Sequence, residues 1–250
     1  MAIATLQPLV GLLGNLIILW LFVSPIPTFV KIINKKTVGE FKPDPYLATL
    51  LNCALWFFYG LPRVCPNFNS LYYCYFHGPI PIDPAIIGTG IFLELVYIAI
   101  FFAYSSPSKR INVIIALVIE VFCLLVVALA ITIPSYRPSV RCRILDYLCV
   151  LSNVIMYGSP LTVMKIVIET KSVKYMPHYL SVAYFCSGVV WLIHTFITRA
   201  YFSILCTESS PLNNWLQVMT YSLGSALGLV QLILYAHYYK RAQWDDENGF

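Results

Sequence analysis

The chain has 250 residues, of which 59% are hydrophobic and only 11% charged, with a formal net charge of +5. Ordinary soluble domains carry roughly 25% charged residues, so this composition excludes a water-soluble globular fold and selects the bilayer as solvent. The positive balance collects beside predicted helix ends, where it reads as a topology signal, and no nucleic-acid partner is expected.

Apolar stretches that approach the ~20 residues of a spanning helix run from Leu9 to Val30, Tyr46 to Leu61, Pro84 to Tyr104, Val113 to Ile133, Tyr147 to Met164, Tyr179 to Ile197 and Leu216 to Tyr239. The first is too long for the apolar core of a signal peptide and no basic segment precedes it, so it is read as a span. Alternate connections and the tail hold Lys31, Lys35, Lys36, Lys42, Lys109, Arg110, Lys165, Lys171, Lys174, Lys240 and Arg241, eleven of the sixteen basic residues. The other side keeps Arg63, Arg137, Arg141, Arg143 and Arg199. Basic loops stay in the cytosol, which predicts an outside N-terminus and a cytosolic C-terminus.

The eight cysteines show no Cys-x-x-Cys or Cys-His spacing, so no metal site is expected. Cys65, Cys74, Cys142 and Cys206 fall on the outer side, where a disulfide is chemically permitted, and Cys53, Cys123, Cys149 and Cys186 fall in or near helices. Free thiols are the expectation for all eight. No Walker A motif, glycine-rich phosphate loop or nucleophile elbow occurs, so neither an enzyme nor a cofactor is expected and any transport runs downhill.

The chain repeats itself at an offset of 135. Ser24-Pro25 recurs as Ser159-Pro160, Lys36-Thr37-Val38 as Lys171-Ser172-Val173, and Trp56 as Trp191. Duplicated halves in an apolar chain can rock against each other around a site at their interface. Spans one to three and five to seven carry the copies, and the fourth lets both enter from the same face. The reading is an all-α membrane protein with seven transmembrane helices arranged as two parallel triple-helix bundles. Its divisions are 1–105 for the first bundle, 106–140 for the linker helix, 141–240 for the second bundle and 241–250 for a short cytosolic tail.

Longer strings add to the repeat: L-F-V-S-P-I-P-T-F from Leu21 to Phe29, P-Y-L-A-T-L-L-N-C-A-L-W-F-F-Y-G from Pro45 to Gly60, M-Y-G-S-P-L-T-V-M-K from Met156 to Lys165, and T-K-S-V-K-Y-M-P from Thr170 to Pro177. With Gly228 to Tyr235 near the end, they closely resemble the SWEET sugar-transporter family, itself a known case of parallel repeats. The resemblance implies passive, bidirectional sugar transport by alternating access.

It also implies site residues. Pro25, Pro45, Pro160 and Pro177 match four family prolines; each lacks a backbone donor and can leave a flexible point in a helix. Pro27 and Pro43 have no repeat partner and are read as structural. Trp56 and Trp191 are the expected substrate contacts, since an indole offers a flat apolar face and one N–H donor to a sugar. The family's pair of pocket asparagines falls here on Ile87 and Tyr221, so both amides are missing. At the outer gate Tyr59 is retained, while the second half offers His194 and has Ala200 at the family's aspartate position. Glu94 and Glu120 are the carboxylates placed inside helices; a packing or hydrogen-bonding role is favoured for Glu94.

The expected partners are a glucose- or sucrose-like sugar, the lipid bilayer, and further copies or relatives in a homo- or hetero-oligomer. The plasma membrane is the expected location, with the vacuole or Golgi as the alternative. The missing amides leave a second reading, a transport-deficient subunit that joins active relatives and modulates them. A seven-helix receptor is disfavoured, because it needs no duplicated halves.

Overall fold

The structure, a computed structural model, describes residues 2–61, 64, 84–132, 138–171, 173, 176, 178–205 and 211–247. Within them the regular structure is entirely helical: α1 (Ala2–Val23), α2 (Ile26–Lys35), α3 (Asp44–Tyr59), α4 (Pro84–Tyr104), α5 (Pro107–Thr132), α6 (Pro138–Gly158), α7 (Leu161–Thr170), α8 (His178–Leu205) and α9 (Pro211–Glu247).

Nine helical segments make seven spans because two spans break at the repeated Ser-Pro. Proline has no N–H to give the carbonyl four residues back. In both halves the preceding serine replaces the lost bond: Ser24 Oγ donates to the Leu21 carbonyl at 2.8 Å, and Ser159 Oγ to the Met156 carbonyl at 2.8 Å. The pair thus interrupts the helix while the carbonyl that loses its proline partner still accepts a hydrogen bond. Each half-span then stops on a left-handed lysine, Lys36 with φ 52° and Lys171 with φ 54°, so the repeat extends to an uncommon backbone conformation.

Pro45 acts differently. It sits in the first turn of α3, after the N-cap Pro43, where the missing N–H interrupts nothing. Pro27 likewise lies in the first turn of α2. Pro177 lies outside the described residues, as do Cys65, Cys74 and Cys206, which fall in the undescribed stretches 65–83 and 206–210.

Among the described residues six helical runs are long and apolar enough to cross a membrane. The remaining span, α3, has 16 residues and reaches about 24 Å at ~1.5 Å per residue. In the first bundle α4 packs on α1, α2 and α3; in the second α9 packs on α6, α7 and α8. The bundles meet along two seams, α1 with α8 and α3 with α6. The linker helix α5 touches α3 and α4 and turns Val118, Phe122, Leu125 and Leu129 outward, as suits a helix bathed in lipid.

Three expectations need correction. The fourth span begins at Pro107, so Lys109 and Arg110 belong to α5: Lys109 donates to the Gly39 carbonyl, and Arg110 folds back on the Phe102 and Ala103 carbonyls at 3.0 and 2.9 Å. The fifth span begins at Pro138, which adds Asp146 to the carboxylates inside helices; it is buried. Free thiols hold for Cys53, Cys123, Cys149 and Cys186, but Cys142 is disulfide-bonded, to a partner outside the described residues. Its Sγ lies 3.8 Å from the Val64 carbonyl, where the start of α6 meets the chain leaving α3.

Candidate functional site

The seams meet around a narrow cavity of about 40 Å³. Its wall is assembled from the repeat. Ile18 and Asn153, Leu21 and Met156, Phe22 and Tyr157, Asn52 and Ser187, and Trp56 and Trp191 all line it, and each pair is 135 apart. A further pair bonds directly across the pseudo-axis, Thr49 Oγ1 to the Tyr184 hydroxyl at 3.2 Å.

Trp191 is buried at 4% exposure. It stacks on Tyr221 with ring centres 6.4 Å apart and an interplanar angle of 27°. Gly14 lets α1 come close to the indole: a Cβ there would sit 3.0 Å from it. Trp56 is half-buried, and its indole N–H donates to Asn153 Oδ1 at 3.3 Å. The same oxygen accepts from Asn52 Nδ2 at 2.6 Å, and Asn52 Nδ2 also donates to Ser152 Oγ at 2.9 Å. Tyr221 lies within interaction range of Asn153.

The fold therefore brings Trp56, Trp191, Ile87 and Tyr221 to one cavity. Tyr59 packs edge-on against Trp56 at 5.6 Å, and His194 edge-on against Trp191 at 5.4 Å. Among the described residues no hydrogen bond joins Tyr59 to His194, and Ala200 lies in α8. Glu94 is buried at 2% exposure and Glu120 is half-buried; among the described residues one carboxyl oxygen of each has no hydrogen-bond partner, and neither residue lines the cavity.

Sequence reasoning missed Asn52, Asn153, Thr49 and Ser187. The offset could have found two of them, since Asn52 and Ser187 each stand four residues before a repeated tryptophan. Polar side chains inside a span are costly unless they bond or serve a ligand.

A family model described as "Sugar efflux transporter for intercellular exchange" matches this chain twice, over residues 8–109 and 143–243. The chain is 44% identical to the bidirectional sugar transporter SWEET5 of Arabidopsis thaliana over 244 residues, covering 98% of this chain and 91% of that protein. It is 44% identical to SWEET4 of the same plant over 237 residues, covering 95% and 84%. The 3.7 Å structure of a eukaryotic SWEET transporter superposes with a TM-score of 0.67 at 29% identity, covering 96% of this chain and all of that one. By the doubled family match and by fold, this chain belongs to the SWEET sugar-transporter family.

Proposed function

We propose that this chain is a uniporter through which a mono- or disaccharide, glucose- or sucrose-like, equilibrates across a membrane in both directions by alternating access. The observation that carries the reading is the cavity between the repeats that joins two indoles to a group of amides and hydroxyls. A sugar has apolar C–H faces ringed by hydroxyls, and such a wall matches both. In this reading Trp56 and Trp191 hold the sugar's faces, with Ile87 and Tyr221 completing the pocket. Pro25, Pro45, Pro160 and Pro177 let the bundles flex, Pro45 at the start of its helix rather than within it, and Tyr59 and His194 close the outer end. The lysine-rich end faces the cytosol and the N-terminus the outside. The chain resides in the plasma membrane as a homo- or hetero-oligomer, and the apolar outer face of α5 suits lipid or a neighbouring subunit.

Passive transport has a direct test in cells that lack their own sugar carriers. Preloaded cells are expected to lose labelled sugar as readily as empty cells gain it, with or without a proton gradient. Accumulation above the outside concentration, abolished by a protonophore, would overturn this and bring Glu94 or Glu120 forward as coupling residues.

The replacement Ile87→Asn with Tyr221→Asn is expected to raise sugar uptake, since both side chains line the cavity. A restored hydrogen bond improves half-saturation by roughly 2- to 12-fold, from a net ~0.5–1.5 kcal/mol. Tyr221 also supports Trp191, so Ile87→Asn alone is the cleaner gain. Uptake no better than the parent's in either variant, at equal surface abundance, would count against sugar contact at these positions.

A further inference from the structure

We propose that Cys142 is bridged to Cys65, and that this bond is a redox-sensitive strap tying the two bundles together at the outer end of one seam. The other seam, α1 against α8, is then the mouth through which the cavity opens outward, a role that rests on the transport reading.

The pairing follows from elimination and from reach. Cys142 is disulfide-bonded, while Cys53, Cys123, Cys149 and Cys186 are free, which leaves Cys65, Cys74 and Cys206 of the eight cysteines. The Cys142 Sγ lies 3.8 Å from the carbonyl oxygen of Val64, and Cys65 is the next residue in the chain. A disulfide holds its two Cα atoms about 4.4–6.8 Å apart, and consecutive Cα atoms stand about 3.8 Å apart, so the position after Val64 is within reach. Cys206 instead follows α8, which packs on α1 and α9. Val64 and Cys142 also share one apolar cluster with Phe58 of α3, Ile131 of α5 and Leu145 of α6. The strap thus joins a place where both bundles and the linker helix already meet.

The repeat supplies the role. An offset of 135 carries Cys65 onto Ala200 and Cys142 onto Gln7, and so carries the α3–α6 seam onto the α8–α1 seam. Neither Ala200 nor Gln7 has a thiol, so only one of the two equivalent seams is tied. On the untied one His194 faces α1, where a Cβ on Gly11 would stand 3.6 Å from its Nε2. Separation of the outer ends is therefore confined to α1 and α8, with α3 and α6 as the pivot. The bond forms by exchange with a disulfide oxidant such as glutathione disulfide. One cysteine thiolate attacks to give a mixed disulfide, and the second displaces glutathione; the two electrons and two protons end on two glutathione thiols. Arg141 and Arg143 flank Cys142, and Arg63 stands two residues before Cys65; neighbouring cations favour the reactive thiolate.

Peptide mapping of the purified, unreduced chain should return a linked Cys65–Cys142 peptide that dithiothreitol splits, the dithiol leaving as its cyclic disulfide. Cys65→Ser should open Cys142 to a maleimide, whereas Cys74→Ser and Cys206→Ser should leave it protected. Loss of the bridge in Cys65→Ser should lower the thermal unfolding temperature in detergent by roughly 5–15 °C. In cells without their own sugar carriers, the bridged parent should take up labelled sugar with no reductant present. In a Cys74→Ser, Cys206→Ser background, His194→Cys should react with a membrane-impermeant maleimide while the bridge is intact. A peptide linking Cys142 to Cys74 or Cys206, or Cys142 labelled in the unreduced parent, overturns the pairing. An unfolding temperature unchanged in Cys65→Ser overturns the strap. Uptake that appears only after reduction, or a His194→Cys thiol that reacts only then, overturns the one-sided mouth. A parent that carries no sugar in either redox state overturns the transport reading and leaves the mapped bridge standing.

Discussion

Trp56→Ala and Trp191→Ala are expected to weaken sugar uptake more than any other single change in the cavity. Each removes a stacking face worth ~1–3 kcal/mol, or roughly 5- to 150-fold in half-saturation. The two residues are not equivalent, however. Trp56 is half-buried and donates its N–H to Asn153, so its loss removes a face and frees an amide at the same time. Trp191 is buried, stacked on Tyr221 and close beneath Gly14, so truncation to alanine also opens a void costing ~3–5 kcal/mol of stability. For Trp191 the phenylalanine variant therefore separates binding from folding: it keeps an aromatic face, loses the N–H and leaves a smaller gap. The measurement is concentration-dependent uptake at equal surface abundance. Unchanged half-saturation in Trp56→Ala and in both Trp191 variants would rule out the paired indoles as the sugar's platform.

Gly228→Val is expected to destabilise the fold strongly. The seam between α8 and α9 closes on this glycine, where a Cβ would stand 2.8 Å from Phe185 Cα and 2.9 Å from its backbone nitrogen. Backbone cannot turn aside, so the helices must part, and overpacking of this kind costs ~1–3 kcal/mol or more. Gly90 makes an instructive contrast. A Cβ there would meet the Phe22 ring at 2.3 Å, but a ring can change rotamer. At Gly88 a Cβ would have nothing within 4 Å, and Gly88→Ala should be neutral or slightly stabilising, since alanine favours the helix by ~1 kcal/mol. Thermal unfolding in detergent should rank the three as Gly228→Val lowest, Gly90→Ala intermediate and Gly88→Ala at or above the parent. A Gly228→Val protein that melts with the parent would show that the α8–α9 seam is looser than this packing implies.

Much of the architecture was legible because its causes are local. Lengths of apolar chain mark spans whatever they pack against, and the 135-residue offset survives in short words such as Ser-Pro and in the two tryptophans. Even the serines of those words have a local role, since each bonds a carbonyl three residues away in its own helix. Boundaries were less legible. Asp146 reads as a loop residue when the span is taken to begin at Tyr147, but α6 starts at Pro138 and buries it.

The sequence by itself determined the all-helical membrane class, the duplication that pairs Trp56 with Trp191 and, through the family resemblance, the positions Ile87 and Tyr221, because each is read from spacing along the chain. Only the tertiary structure decided that α1 meets α8 and α3 meets α6, that Cys142 forms a disulfide, and that Asn52 and Asn153, 101 residues apart, share a hydrogen bond. These are contacts between the repeats. No local propensity or periodicity encodes them, because they arise only when two separately folded faces come together and each buried amide must find a partner on the other.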